Sequence, residues 1–183
     1  MTTQVLFIQG AGDAVHDRWD DKLADSLRRE LGDGYSVLYP RMPEEADPKY
    51  AAWKSALLEA FAGLHDGDVL AGHSVGATVL VHTLADEAPG FEPAALVLIS
   101  PPFIGDGGWQ SDDLPARTAF ALPPGVPVRL YHGRDDTDVP PVHADFYAKA
   151  IPQAAIHRLP GKDHQWHNDL GEVARDIRAL RSG

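Results

Sequence analysis

The sequence predicts an α/β domain built on an open, mostly parallel sheet of six strands with helices on both faces. Three observations carry this reading. Short apolar runs alternate with longer amphipathic stretches along the chain. Several of the short runs are near-continuous in Val, Leu and Ile, as in parallel strands buried on both faces. No repeat, linker or low-complexity tract interrupts the alternation, so the 183 residues read as one domain, 1–183.

Each element has its own signal. The first strand is read at 5–8, followed by a helix over 19–31 with Trp19, Leu23, Leu27 and Leu31 spaced by four. The second strand is read at 36–39. Asp47-Pro48 then starts a helix over 50–64, whose stripe is Trp53, Leu57 and Phe61. The third strand, 68–71, leads into a helix at 75–84 that is small and apolar throughout, hence central and buried. Strands at 95–99, 126–131 and, more weakly, 155–159 complete the six, with helices over 142–150 and 170–180. Leu170, Val173, Ile177 and Leu180 keep one face of the last helix apolar.

One segment breaks the rhythm. Residues 101–127 carry Gly105, Gly107, Gly108, Pro115, Pro123 and Pro124, with Phe103, Trp109 and Phe120 scattered among them. Connections of this length in a compact domain tend to be functional, and the segment is expected to form a minimal cover over a site.

Composition excludes several chemistries. A chain of this size buries roughly 70% of its unfolded surface and needs no covalent staples. With no cysteine, disulfides, thiolate metal sites, iron–sulfur clusters and cysteine nucleophiles are ruled out. Lys and Arg number 16 against 27 Asp and Glu, a net charge of −11. That sign repels phosphate backbones, so no nucleic-acid partner is expected. No stretch approaches the ~20 apolar residues of a membrane span, and the start lacks the marks of a secretory leader. A cytoplasmic monomer without membrane attachment is the expectation.

The chemistry centres on Gly72-His73-Ser74-Val75-Gly76, which follows an apolar strand and opens a helix. In a strand–turn–helix of this kind the central residue is backbone-strained, the crowded flanking positions need glycine, and the serine oxygen is exposed at the carboxyl end of the sheet. The amino end of the following helix favours developing negative charge there. A serine hydroxyl is a poor nucleophile until a base takes its proton. In this architecture an acid and then a histidine follow in chain order. The acid is expected past the fifth strand, where Asp135, Asp136 and Asp138 compete. Asp136 is chosen, three residues after Gly133 and four before Pro140. Asp135 is its rival, and Asp138 is read as the cap of the next helix. The histidine is His164, in a glycine-led loop after the last strand; His167 is assigned to the start of the final helix. His73 is expected to pack or hydrogen-bond, His82 to lie on the buried helix, and His65, His143 and His157 to sit at the surface or a boundary.

An acyl-transfer reaction also needs two backbone donors for the oxyanion. Val75, directly after the serine, is one. Ala11, in the loop after the first strand, is the other, with Gly12 as its alternative. In a sheet ordered 2-1-3-4-5-6 these two loops flank the switch point where ligands bind.

With these motifs in place, the chain resembles the α/β-hydrolases, and more narrowly the small serine hydrolases typified by retinoblastoma-binding protein 9 and its bacterial relatives. The likeness runs through Gly10-Ala11-Gly12, His16 and Trp19, Tyr39-Pro40-Arg41-Met42-Pro43, the Gly72–Gly76 turn, residues 95–101, the Gly133/Asp136 loop and Gly161/His164. It implies a compact hydrolase with a minimal cover and a triad on Ser74, Asp136 and His164. Residues 101–127 have their own composition, so substrate preference does not carry over.

The resulting expectation is a serine hydrolase acting on small carboxylic esters, and by extension amides, without cofactor or metal. Gly10, Gly12, Trp19, His73, Phe103, Trp109 and Trp166 are expected to line the substrate pocket. Three other readings are weaker. A dinucleotide site would need a glycine where Val15 stands and an acidic residue after the second strand, where Tyr39-Pro40-Arg41 stands. A metal site needs three or four converging ligands, and nothing completes His164, His167, Asp163 and Asp169. A catalytically inactive protein- or ligand-binding module on the same fold would have no use for the Ser, Asp and His set.

Overall fold

A computed structural model describes residues 2–180. The sheet has the order β2-β1-β3-β4-β5-β6, from β1 (Thr3–Ile8), β2 (Tyr35–Leu38), β3 (Val69–His73), β4 (Ala95–Ile99), β5 (Val128–Gly133) and β6 (Ala155–Leu159). Every pairing is parallel, not merely most of them. The chain therefore winds outward in both directions from the β1–β3 pair. At that switch point two adjacent strand ends diverge and leave a crevice.

The strand sequences follow from position. β3 and β4 are buried at every residue, as their unbroken apolar character requires, while the edge strands β2 and β6 are half-exposed. Alternation along the strands divides the core in two. Leu6, Ile8, Leu70, Leu96, Leu98 and Leu130 pack against α3 (Tyr50–Phe61), α4 (Ser74–Asp86) and α5 (His143–Ala150). On the opposite face Val5, Phe7, Val69, Ala71, Val97 and Ile99 meet α2 (Asp20–Leu31) and α6 (Gly171–Ala179). Trp53, Leu57 and Phe61 are the buried stripe of α3, and Leu23, Leu27 and Leu31 that of α2. No helix among the described residues is long and apolar enough to cross a membrane.

Three boundaries differ from the sequence reading in ways that matter for the site. β3 runs on through Gly72 and His73, so strand passes into α4 with no intervening loop. A short helix, α1 (Val15–Arg18), precedes α2, and the chain breaks direction at Trp19 (φ −124°, ψ −64°). Trp19 consequently leaves the apolar stripe and is 52% exposed, whereas Asp20 is fully buried. Helical periodicity put Trp19 in the apolar stripe. After β6, His167 lies not in the last helix but in a 3-10 turn, Trp166–Asn168, whose three residues all have positive φ.

Candidate active site

The turn between β3 and α4 shows why its residues are what they are. Ser74 has φ +51°, in the left-handed region that an L side chain rarely adopts. A Cβ on Gly72 would lie 2.8 Å from the backbone nitrogen of Ala77, and one on Gly76 only 2.1 Å from the carbonyl of Gln9. Close packing of the turn against its own helix and against the end of β1 thus excludes any side chain at either position.

Ser74 Oγ lies 3.0 Å from His164 Nε2, and His164 Nδ1 lies 2.8 Å from Asp136 Oδ2. Residues separated by 28 and 90 positions therefore meet in one hydrogen-bonded line. Asp136 is itself fastened: its Oδ1 accepts the amides of Val139 at 2.8 Å and Asp138 at 3.1 Å. Burial alone would raise its pKa, but the His164 hydrogen bond and charge, with the Val139 amide, outweigh burial and hold it below the ordinary carboxylate value. Asp135 is exposed and takes no part. Asp138 caps no helix; α5 begins only at His143 and has no side-chain cap. Beneath Asp136, the buried His132 donates to the Val139 carbonyl at 2.8 Å, and burial keeps its pKa low.

A second histidine–aspartate pair lies beside the first, and sequence reasoning missed half of it. His73 Nδ1 is 2.8 Å from Asp20 Oδ2, and His73 Nε2 donates to the His164 carbonyl at 2.9 Å. The rings of His73 and His164 are 4.9 Å apart. Asp20 Oδ2 also accepts the Gly10 amide at 2.7 Å, and Oδ1 accepts Gln165 Nε2 at 3.2 Å. Burial works against charge on both members. The attraction between them, with the Gly10, Gln165 and His164 hydrogen bonds, prevails: the pKa of Asp20 lies below its ordinary value and that of His73 above. The available signal was His73 itself, since a histidine buried in an apolar strand must find polar partners.

A cleft of about 270 Å³ opens over Ser74. Of the expected lining, Gly10, Trp19 and His73 are present, with Ala11 and His164; Val15, Asp20, Asp138 and Gln165 were not anticipated. Gly12, Phe103, Trp109 and Trp166 do not line it. Trp166 is 1% exposed and donates to Ser100 Oγ at 3.0 Å, pinning the His164 loop from inside the core. Phe103 is buried against Phe146 and Tyr147, and Trp109 stands edge-on to His143. Residues 101–127, expected as a cover, contribute nothing to this lining; Phe103 and Phe120 anchor the segment on α5 instead. His143, expected near the surface, is buried and accepts the Phe103 amide.

Among the amides after β1, Gly10 donates to Asp20 and Gly12 to the Glu45 carbonyl at 2.7 Å. The Ala11 amide has no protein acceptor among the described residues. Val75, second residue of α4, has an amide in the first helical turn, where no intrahelical acceptor exists.

No family model matches the chain, and no curated protein matches it in sequence. Solved structures do match in fold. The ydeN gene product of B. subtilis superposes with a TM-score of 0.74 at 19% identity, covering 100% of both chains. A serine hydrolase involved in carbazole degradation gives 0.76 at 15% identity, over 98% of this chain and 91% of its own. An α/β serine hydrolase without lid from Xanthomonas campestris gives 0.65 at 20% identity, over 100% and 83%. The chain has the α/β-hydrolase fold.

Proposed function

We propose that the protein is a serine hydrolase that cleaves small carboxylic esters, and amides with good leaving groups, through an acyl-enzyme. The observation that carries this reading is the line Ser74 Oγ–His164 Nε2–Asp136 at 3.0 and 2.8 Å, at the mouth of a cleft. Its neighbours in fold include proteins described as serine hydrolases, which agrees with it.

His164 takes the hydroxyl proton of Ser74 as Oγ attacks the ester carbonyl, and Asp136 stabilises the imidazolium that forms. The tetrahedral oxyanion is held by the amides of Ala11 and Val75. His164 then protonates the departing alkoxide. A water molecule, deprotonated by the same ring, releases the carboxylic acid and restores the serine. The small cleft, without a lysine or arginine in its lining, suits short neutral acyl groups.

A fluorophosphonate probe should label the folded protein at Ser74 and fail on Ser74→Ala. A series of p-nitrophenyl esters should then show activity that falls as the acyl chain lengthens. Absence of labelling on folded wild type would overturn the reading and leave a binding module on this fold as the better account.

A further inference from the structure

Resting on that reading, we propose that Asp20 and His73 are positioning residues: a buried ion pair that fastens the oxyanion loop, the nucleophile turn and the base loop to one another. Four hydrogen bonds make the fastening. Asp20 Oδ2 takes the amide of Gly10, next to Ala11, at 2.7 Å. The same oxygen meets His73 Nδ1, next to Ser74, at 2.8 Å. His73 Nε2 holds the carbonyl of His164 at 2.9 Å, and Asp20 Oδ1 holds the Gln165 side chain at 3.2 Å. Both members of the pair are almost fully buried, Asp20 at 0% and His73 at 2% exposure.

The partners dictate the protons. The His164 carbonyl only accepts, so His73 Nε2 carries a hydrogen. Asp20 Oδ2 already accepts an amide at 2.7 Å, so the proton between it and His73 Nδ1 belongs on the ring. His73 is therefore doubly protonated and has no free lone pair. It is a strut, not a second base. The base loop needs such a strut, because Trp166, His167 and Asn168, beginning two residues after His164, all hold positive φ, a conformation that persists only when its surroundings impose it.

Asp20→Asn tests this at constant shape. If the asparagine oxygen faces Gly10 and His73, a buried imidazolium loses its counter-charge. If the amide nitrogen faces them, the Gly10 amide loses its acceptor. One fastening fails either way. For p-nitrophenyl acetate, kcat should fall roughly 10- to 100-fold with KM within about twofold, the signature of misplaced reacting groups. In folded wild type, ¹⁵N spectra of histidine-labelled protein should show both His73 ring nitrogens protonated from about pH 5 to about pH 8. Gln165→Met, which removes one outer fastening, should lower kcat by about threefold and carries the mutational test if Asp20→Asn does not fold. Labelling of wild type together with unchanged kcat in the folded variant, or a His73 ring that titrates as a neutral imidazole, overturns the inference alone. No labelling of wild type overturns the hydrolase reading and this inference with it.

Discussion

Two histidine–aspartate pairs stand side by side in this molecule, and they differ in what the far nitrogen of each ring meets. His164 is backed by Asp136 and faces the hydroxyl of Ser74, which can give up a proton. His73 is backed by Asp20 and faces a backbone carbonyl, which can only accept one. The carboxylates are alike: both are buried, both accept backbone amides, and both have pKa values below the ordinary range because imidazole contact outweighs burial. On the proposed reading, the same pair of side chains makes a base in one place and a brace in the other. What lies beyond the imidazole sets its chemistry, not the carboxylate behind it.

The largest expected effect breaks the symmetry between the two aspartates. Asp136→Asn leaves His164 in the wrong tautomer, with its lone pair turned from Ser74, and should cost roughly 10⁴-fold in kcat. Asp20→Asn disturbs placement alone and should cost far less. Steady-state kinetics of the two variants on one ester checks the contrast. Equal losses would mean that the two pairs are not functionally distinct.

A smaller effect separates the pairs by pH. The folded pKa of His73 is raised by Asp20, so its contribution to stability is complete below the unfolded histidine value, about 6.5, and is lost as pH rises through the folded value. The folded pKa of Asp136 is lowered. Its contribution is present above the unfolded carboxylate value, about 3.9, and disappears as pH falls through the folded value. Urea denaturation at pH 6 and pH 9 should therefore show the stability gap between wild type and Asp20→Asn narrowing at the higher pH. The gap for Asp136→Asn should close in acid.

The sheet was legible because β3 and β4 are apolar on both faces, and only a central parallel strand tolerates that. The strained turn at Ser74 was legible because steric crowding leaves a local pattern of glycines. Chain order placed the acid only in the loop past the fifth strand; the choice of Asp136 over Asp135 and Asp138 rested on its spacing from Gly133 and Pro140. Asp20 was hidden for a physical reason. Helical periodicity assumes an unbroken helix, and the change of direction at Trp19 moved the tryptophan outward and the aspartate inward. Trp166 was misread because loop position suggests exposure, whereas Ser100 and Tyr131 receive its ring in the core. Residues 101–127 carried too little pattern to show that Phe103 and Phe120 would turn toward Tyr147.

The smallest effect lies at the rim, where Asp138 is exposed beside the cleft. Unlike Asp20 and Asp136 it has no imidazole partner among the described residues, so its charge faces an arriving substrate. Two like charges roughly 7 Å apart in water repel by about 0.6 kcal/mol, close to a threefold factor. Asp138→Asn should therefore raise kcat/KM about threefold for an ester bearing a free carboxylate and leave a neutral ester of the same length unchanged. The selectivity should vanish at about 1 M salt, where the screening length is only about 3 Å. An equal change for both esters would point instead to altered loop geometry around Asp136, because Asp138 also donates its amide to that carboxylate. Comparing the two esters at low and high salt thus distinguishes a field acting on the substrate from a disturbance of the pair behind His164.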